Sequence, residues 1–432
     1  MKRQKQLRQE LSVSSIKLIL LTLILVSWLQ NSFAQVDVIA TGGTMNASYT
    51  NLSLAFGAIN GGTHTGAITI NITGNTTEPV SGAILNGSGA GSANYTSILI
   101  KPSGGAARTI SGAATAGLAL IQLNGADNVT FDGLNTGGNA LTIVNTTVSA
   151  TSGTSTIHLQ ADATFNTFTN LTVNGSGTMA VGTNGGNFWF GASSNTTGQD
   201  NNVISNCKIG ANGSNYPTKG IYSNGTTTTV GQYNSNNLVT NCEFVDIFGI
   251  TAQSAGIYLT TATTNWDITN NKFYQTVSKT QTTASIHAAI QIGSTNIGGC
   301  NITGNTIGFA NANGTGNYMW TGLSTTSRMV GIYLSSASST EKITISNNLI
   351  QNISLTGPLG TTTTTAAFIG IQIASGWADV LNNTIGSLDG SKTILVNNAS
   401  NTSTSEVYGI YSSVSIAGVT SKINGNSIGS IT

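Results

Sequence analysis

The sequence predicts an all-β solenoid, in which strands too short to bury their own faces coil so that each turn of chain packs on the next. Three observations predict it. Two short patterns alternate over about three hundred residues, the kind of internal period that marks stacked architectures. Gly, Ser, Thr and Asn, the residues of turns, fill much of the chain. Charged residues make up only 7% of it while 39% are apolar, enough to build a core.

The first pattern is Ile204-Ser205-Asn206-Cys207-Lys208-Ile209. It recurs at 239–244, 268–273, 302–307, 345–350, 380–385 and 423–428, with degenerate forms at 131–134 and 168–173. Its turn position is held by Cys207, Cys242, Asn271, Asn305, Asn348, Asn383 and Asn426. An Asn there tolerates left-handed backbone and is placed to hydrogen-bond its equivalent one coil away, giving a structural turn ladder. Cys207 and Cys242 are read as small buried substitutes in that ladder; a bridge between them is left open. Three cysteines, Cys300 included, are too few and odd in number for a disulfide framework.

The second pattern sits between copies of the first: a small residue, then apolar, variable, apolar. Gly220-Ile221-Tyr222-Ser223 is one copy, and 256–259, 289–292, 331–334, 370–373 and 409–412 are others; 121–123, 157–159 and 188–190 fit the same slot. Such alternation is a strand with one buried face. Stacked coils pair these strands along the stack, so that backbone N–H and C=O groups find partners.

Ahead of the repeats, Lys2, Arg3, Lys5, Arg8 and Lys17 precede a short apolar run at 18–28, and Ser32-Phe33-Ala34 offers small residues before Gln35. That is the pattern of a signal peptide over 1–34, with an apolar run too short to span a bilayer. The expected organisation is a signal peptide at 1–34, an N-terminal cap with a short helix at 35–65, and the coiled domain at 66–432. Loss of five bases and one acid from totals of 15 and 14 leaves 10 against 13, a net charge of −3. Such a balance excludes the cationic footprint of nucleic-acid binding. The helix is expected after residue 49, where Leu52, Leu54, Ala55, Ala58 and Ile59 form an apolar face, with Thr50 as N-cap and Ile68-Thr69-Ile70-Asn71-Ile72 as the first coil.

On these repeats the chain resembles the right-handed parallel β-helix family, the fold of pectin lyase-like carbohydrate-active proteins. It is also similar to Gly/Thr/Asn-rich exported surface proteins of Bacteroidota. The resemblance covers residue 49 to the C-terminus. It implies a single-stranded right-handed parallel β-helix with a short N-terminal capping helix over its first rung. It makes the Gly-Ile-x-Leu segment the first strand of each rung, the turn Asn the link between second and third strands, and 308–329, 351–368 and 387–407 insertions before the next first strand.

In the lyases and hydrolases of that family the active groove lies on the first-strand face. Its outward positions here are Gln122, His158, Trp189, Tyr222, Tyr258, Gln291, Tyr333, Gln372 and Tyr411. They suit a neutral glycan through ring stacking and amide hydrogen bonds, or, more plainly, an aromatic file that stabilises the sheet. No carboxylate occupies the slot. Asp127, Asp132, Asp162, Asp200, Glu243, Asp267, Glu341 and Asp379 are scattered one per rung, which offers neither the paired acids of glycoside hydrolysis nor the cluster a calcium site needs. Lys219 and Arg328, just before first strands, read as solvated loop cations. His158 lacks a partner for metal or base chemistry, and His64 and His287 read as loop residues.

The expectation is thus a secreted or cell-surface, adhesin-like or glycan-binding structural protein, with no catalytic residues, metal site or cofactor. Its partner would be a polysaccharide or cell-surface glycan. The alternative is a polysaccharide lyase or glycoside hydrolase of the same fold with atypical catalytic residues. The last repeat ends close to the C-terminus without a polar cap, so the expectation is either a truncated product or a last rung that pairs with another chain.

Overall fold

A computed structural model describes residues 34–193, 195–323, 326–362, 365–391, 394–398 and 404–432. The expected signal peptide, Ala34 apart, lies outside them. Among the described residues, no helix is long and apolar enough to cross a membrane.

Three long sheets carry the chain, of 10, 13 and 11 strands. One circuit visits each in turn: Ser155–Gln160 in the first, Thr167–Thr169 in the second and Leu171–Gly175 in the third. The next circuit repeats them as Gly186–Phe190, Val203–Ser205 and Lys208–Ala211. Each strand pairs in parallel with its equivalents one circuit before and after. Parallel strands joined through a crossover wind right-handed, and the product is a right-handed parallel β-helix. First strands run from Ala83–Asn86 to Val407–Ser412, ten in all.

The core is one continuous column. Ile157, Phe188, Ile221, Ile257, Ile290, Ile332 and Ile371 form its first-strand wall, faced by Phe168, Ile204, Val239, Ile268 and Ile302 from the second strands, all at most 1% exposed. Like stacks on like, as with the Phe131–Phe168 and Phe244–Phe273 ring pairs at 5.4 and 4.6 Å. The small residue ahead of each first-strand Ile has a steric cause. A Cβ on Gly256 would come within 2.7 Å of the Phe273 ring and of the next coil's backbone, and one on Gly331 within 2.9 Å of Ile350. On these rungs the coil is too narrow at that level for a side chain, and Ala289 fills the same slot on the rung between them.

Two adjacent residues divide the work at the turn between second and third strands. Asn206, Asn241, Asn270, Asn347 and Asn382 adopt φ of 53° to 57°, and Gly304 and Gly425 take the same role. The residue after each points inward. Asn271 donates through its backbone N–H and its Nδ2 to Asn305 Oδ1, both at 3.0 Å. Asn305 does so to Asn348, Asn348 to Asn383 and Asn383 to Asn426. Each spare Nδ2 proton goes back to a carbonyl such as Val239 O or Ile268 O. The ladder residue is therefore not the left-handed one. Sequence reasoning had given both roles to a single Asn.

Cys207 and Cys242 occupy the ladder slot as free, buried thiols that donate to carbonyls. A second ladder runs five residues upstream, at the turn into the second strands. Asn166, Asn202 and Asn237 pass hydrogen bonds from rung to rung at 2.8 to 3.1 Å. Trp266 and Cys300 take the slot after them.

The N-terminal end is closed by a hairpin as well as a helix. Val36–Gly43 pairs antiparallel with both Asn46–Tyr49 and His64–Ile72. The helix Leu52–Asn60 buries Leu52, Ala55, Phe56 and Ile59 over the first rung. Its N-cap is Asn51, whose side chain accepts from Leu54 N–H, rather than Thr50. Glu78 supports the same end, accepting from Leu52 and Ser53 N–H at 3.0 and 2.8 Å.

The later insertions are not irregular loops. Lys279–Thr280, Tyr318–Thr321, Ile353–Gly357 and Ile394–Asn398 stack as a fourth parallel sheet. It buries Tyr318, Trp320, Ile353, Leu355 and Ile394 against the main coil.

Removing a middle ladder residue leaves buried donors on one side and a buried acceptor on the other. Asn305→Ala is expected to lower stability by about 2–4 kcal/mol, more than truncation of an exposed Asn, as read by urea unfolding. The cysteines give a second check. Burial pushes the Cys242 thiol up and the Cys300 thiol up to about 12. All three thiols should resist an aromatic disulfide reagent in the native protein and react only after unfolding.

Candidate functional site

The outward residues of the first strands stand in one unbroken register: Gln122, His158, Trp189, Tyr222, Tyr258, Gln291, Tyr333, Gln372 and Tyr411. All nine project from the sheet side opposite the core column. The file is not open to water along its length. His158, Tyr222, Tyr258, Gln291 and Gln372 are buried under the insertions, while Gln122, Trp189, Tyr333 and Tyr411 are half-buried. The side chains also contact one another. His158 lies flat on Trp189 with ring centroids 3.6 Å apart, and Trp189 donates its indole N–H to Asn224 at 2.7 Å. Tyr222 and Tyr258 are 5.9 Å apart, and Gln253 donates to Gln291 at 2.8 Å. Burial raises both tyrosine pKa values.

Beside this file runs a groove of about 590 Å³. Its walls are residues 180–182, 251–253 and 284–286, with Thr326, Arg328 and Thr365, drawn from successive insertions. The insertions thus converge on one face, which is why it is the concave one.

Lys219 and Arg328 are not solvated loop cations. Both lie in first strands on the groove face, at 0% and 6% exposure. Arg328 donates to Gln372 Oε1 at 3.2 Å and Tyr333 OH at 3.4 Å, and its guanidinium lies 5.3 Å from the Tyr333 ring centroid. Lys219 donates to the carbonyls of Ala180 and Val181 at 3.2 Å and to that of Thr183. Burial pulls its pKa down to about 7.

Nor are the other histidines loop residues. His64 is in the strand His64–Ile72, 2.7 Å from Tyr49 OH. His287 is in Ile286–Gly293 within a closed chain, in which Gln275 donates to Tyr318 OH and the His287 ring meets Tyr318 OH on one side and Ser254 Oγ at 2.7 Å on the other. Nearby, the buried Lys279 and the half-buried Asp246 form an ion pair at 2.7 Å. Burial drives the pKa of His158 and of His287 down to about 3.

The carboxylates are engaged in turns. Asp127 accepts from Thr164 N–H and Oγ–H, Asp162 from Thr196 and Thr197 N–H, and Asp200 from Ser235 N–H. They follow one another on three consecutive rungs, so Asp162 raises the pKa of its two neighbours beyond the larger effect of burial. Among the described residues, no three His, Cys, Asp or Glu side chains converge as metal ligands.

No family model matches the chain, and no curated protein is similar enough to count as a relative. Solved structures similar to it include the A-module of a mannuronan C-5 epimerase from Azotobacter vinelandii, 13% identical with a TM-score of 0.34 over 88% of this chain and 94% of that one. The surface protein and adhesin PfbA of Streptococcus pneumoniae is 13% identical, with a TM-score of 0.32 over 83% and 95%. A mannuronic acid-specific polysaccharide family 6 lyase from human gut microbiota is 11% identical, with a TM-score of 0.30 over 83% and 89%. These likenesses are distant, and the fold rests on the strand pairing itself.

Two buried neutral histidines make stability fall with acid. Their folded pKa values lie below the unfolded value near 6.5, so their contribution is complete above that pH. It is lost as pH falls toward 3, by up to about 1.4 kcal/mol per pH unit for each ring. Replacing His287 with Asn should flatten the loss between pH 6 and pH 4, measured as unfolding free energy of variant and parent at each pH.

Proposed function

We propose that this chain is an exported β-helix that binds a polysaccharide along the groove of its first-strand face and performs no chemistry on it. Export follows from the leader-like residues 1–34; the rod would then present the groove at or beyond the cell surface. The observation that carries the binding reading is the juxtaposition of an elongated groove with a file of rings and amides in strict register. A glycan chain offers alternating apolar ring faces and hydroxyls, which such a surface matches by stacking and amide hydrogen bonds.

Arg328 refines the ligand. It is the one charged side chain among the groove-lining residues, and it is oriented by Gln372 and Tyr333. A guanidinium held this way favours a carboxylate or sulfate on the sugar over a neutral chain. The absence of catalysis rests on where the titratable groups are spent. Asp127, Asp162 and Asp200 cap turns, and His158 and His287 are sealed and neutral.

The second reading, a lyase, draws on Lys219 and Arg328, since elimination from a uronate needs a base near neutrality and a cation at the carboxylate. Affinity electrophoresis against acidic and neutral polysaccharides separates the readings. Retardation by an acidic polymer is expected, weakened about tenfold by Arg328→Gln, with no reducing ends or unsaturated products formed. Products that accumulate with the parent protein and vanish in that variant would make it a lyase.

A further inference from the structure

Four consecutive carbonyls, of residues 180 to 183, are tied to two side chains of the following rung. Lys219 takes those of Ala180, Val181 and Thr183, and Tyr222 OH donates to that of Gly182 at 3.2 Å. The Lys219 ammonium also stands 4.3 Å over the Tyr222 ring. The segment belongs to no strand. Between its carbonyls, the Val181 side chain packs, as Trp189 does, on the buried cluster of Tyr222, Ala255 and Tyr258. The rings of Trp189, Tyr222 and Tyr258 are those best placed to stack on a sugar, and this chain covers them itself.

We propose that residues 180–183 form a strap seated on the aromatic part of the groove, with Lys219 as its clasp, and that lifting it uncovers a sugar-stacking subsite made by Trp189, Tyr222 and Tyr258. The ligand half of this rests on the polysaccharide reading; the strap does not.

Three observations support it. The strap joins the following first strand through Gly185 and Gly186, at φ of 113° and 158°, conformations that L side chains rarely adopt, so two adjacent glycines carry the chain from strap to strand. A Cβ on Gly182, at its tip, would meet nothing within 4 Å, so no neighbouring segment packs over the tip, which is held from below through its carbonyl. The clasp is finely balanced. Lys219 is fully buried, and the ion pairs among the described residues do not include it, so peptide dipoles and the face of the Tyr222 ring, without a counter-charge, offset its lost hydration. Its lowered pKa, about 7, reflects that cost. An open strap returns the ammonium to water, which offsets much of what the closed contacts gain.

The shape of the covered patch fits the proposed ligand. Tyr222 and Tyr258 lie on successive rungs with ring centroids 5.9 Å apart, and Trp189 continues the row beside them. Val181 lays an apolar side chain where the apolar face of a pyranose would lie, so strap and sugar compete for one place.

The test uses the full chain with Lys219→Met and Val181→Ser. The second change is at a half-buried loop position and leaves the coil intact even if the first impairs folding. Acrylamide quenching of Trp189 fluorescence, isolated by subtracting the same variants carrying Trp189→Phe, should rise about twofold in both as the open form gains population. With polygalacturonate and laminarin as probes, a polymer bound by the parent should be bound about fivefold tighter by Val181→Ser, because the competent state is no longer scarce. Unchanged quenching in both variants overturns the strap. Raised quenching without tighter binding of a polymer that the parent binds overturns the covered subsite. Raised quenching with neither polymer bound by any variant supports the strap and overturns the polysaccharide reading instead.

Discussion

The constraint on which everything else depends is that each residue stacks on its own equivalent. In a parallel coil the neighbour across every strand pair is the same position one circuit later, about 4.8 Å away. A column can hold only residues that tolerate a copy of themselves at that distance. Ile on Ile, Phe on Phe, Thr on Thr and Asn on Asn all do. Lys on Lys does not, since like charges directly opposite repel. The low charge of this chain is therefore a consequence of its architecture and not a hint of disorder. Where charge enters a third-strand column it alternates in sign: Lys208 pairs with Glu243, and Glu243 with Lys272. Asp379 likewise sits between Lys342, 2.8 Å away, and the backbone N–H of Lys422.

The same constraint explains why the ladders are built from Asn. A buried polar column must satisfy its donors and acceptors by translation alone. The primary amide can, for its oxygen accepts from one neighbour while its nitrogen donates to the other and to a carbonyl. A carboxylate column would repel itself, and a hydroxyl column, with one proton per residue, would leave the turn's carbonyl short of a donor. Cys207 and Cys242 interrupt the ladder at one end, where a thiol fills the volume and donates weakly to carbonyls. With these columns sealed, chemistry can enter only from the outward faces and from segments that break the period.

That division decides what was legible in the sequence. Features that recur at every rung were readable because the period displays them side by side: the first-strand register, the small residue before Ile221 or Ile332, and the row at Asn271 to Asn426. The second ladder was equally periodic, with Asn166, Asn202 and Asn237 each five residues ahead of a second-to-third turn position. It went unread because Trp266 and Cys300 replace Asn in the same slot. Lys219, Arg328 and His287 were misplaced for another reason. Each lies at the start of a first strand, and its burial is imposed by an insertion whose path the repeat does not encode. The fourth sheet was hidden likewise, since Tyr318–Thr321 and Ile353–Gly357 share alternation but no common motif.

The insertions therefore do two things that pull against each other. By gathering on one side of the rod they create concavity, and by folding back they cover the rings that concavity would expose. A surface of bare stacked tyrosines would be a liability in water, because contiguous apolar area on a protein surface invites association. Covering it with residues 180–183 solves that problem at the cost of burying Lys219, whose position in a first strand gives it no route to water while the segment is closed. The buried cation is thus the physical link between the two requirements. It holds the cover with dipoles that are adequate, while the lost hydration keeps the closed form from becoming permanent. Had an aspartate stood opposite Lys219, the ion pair would have locked the face shut; the carbonyls of Ala180, Val181 and Thr183 leave it able to open.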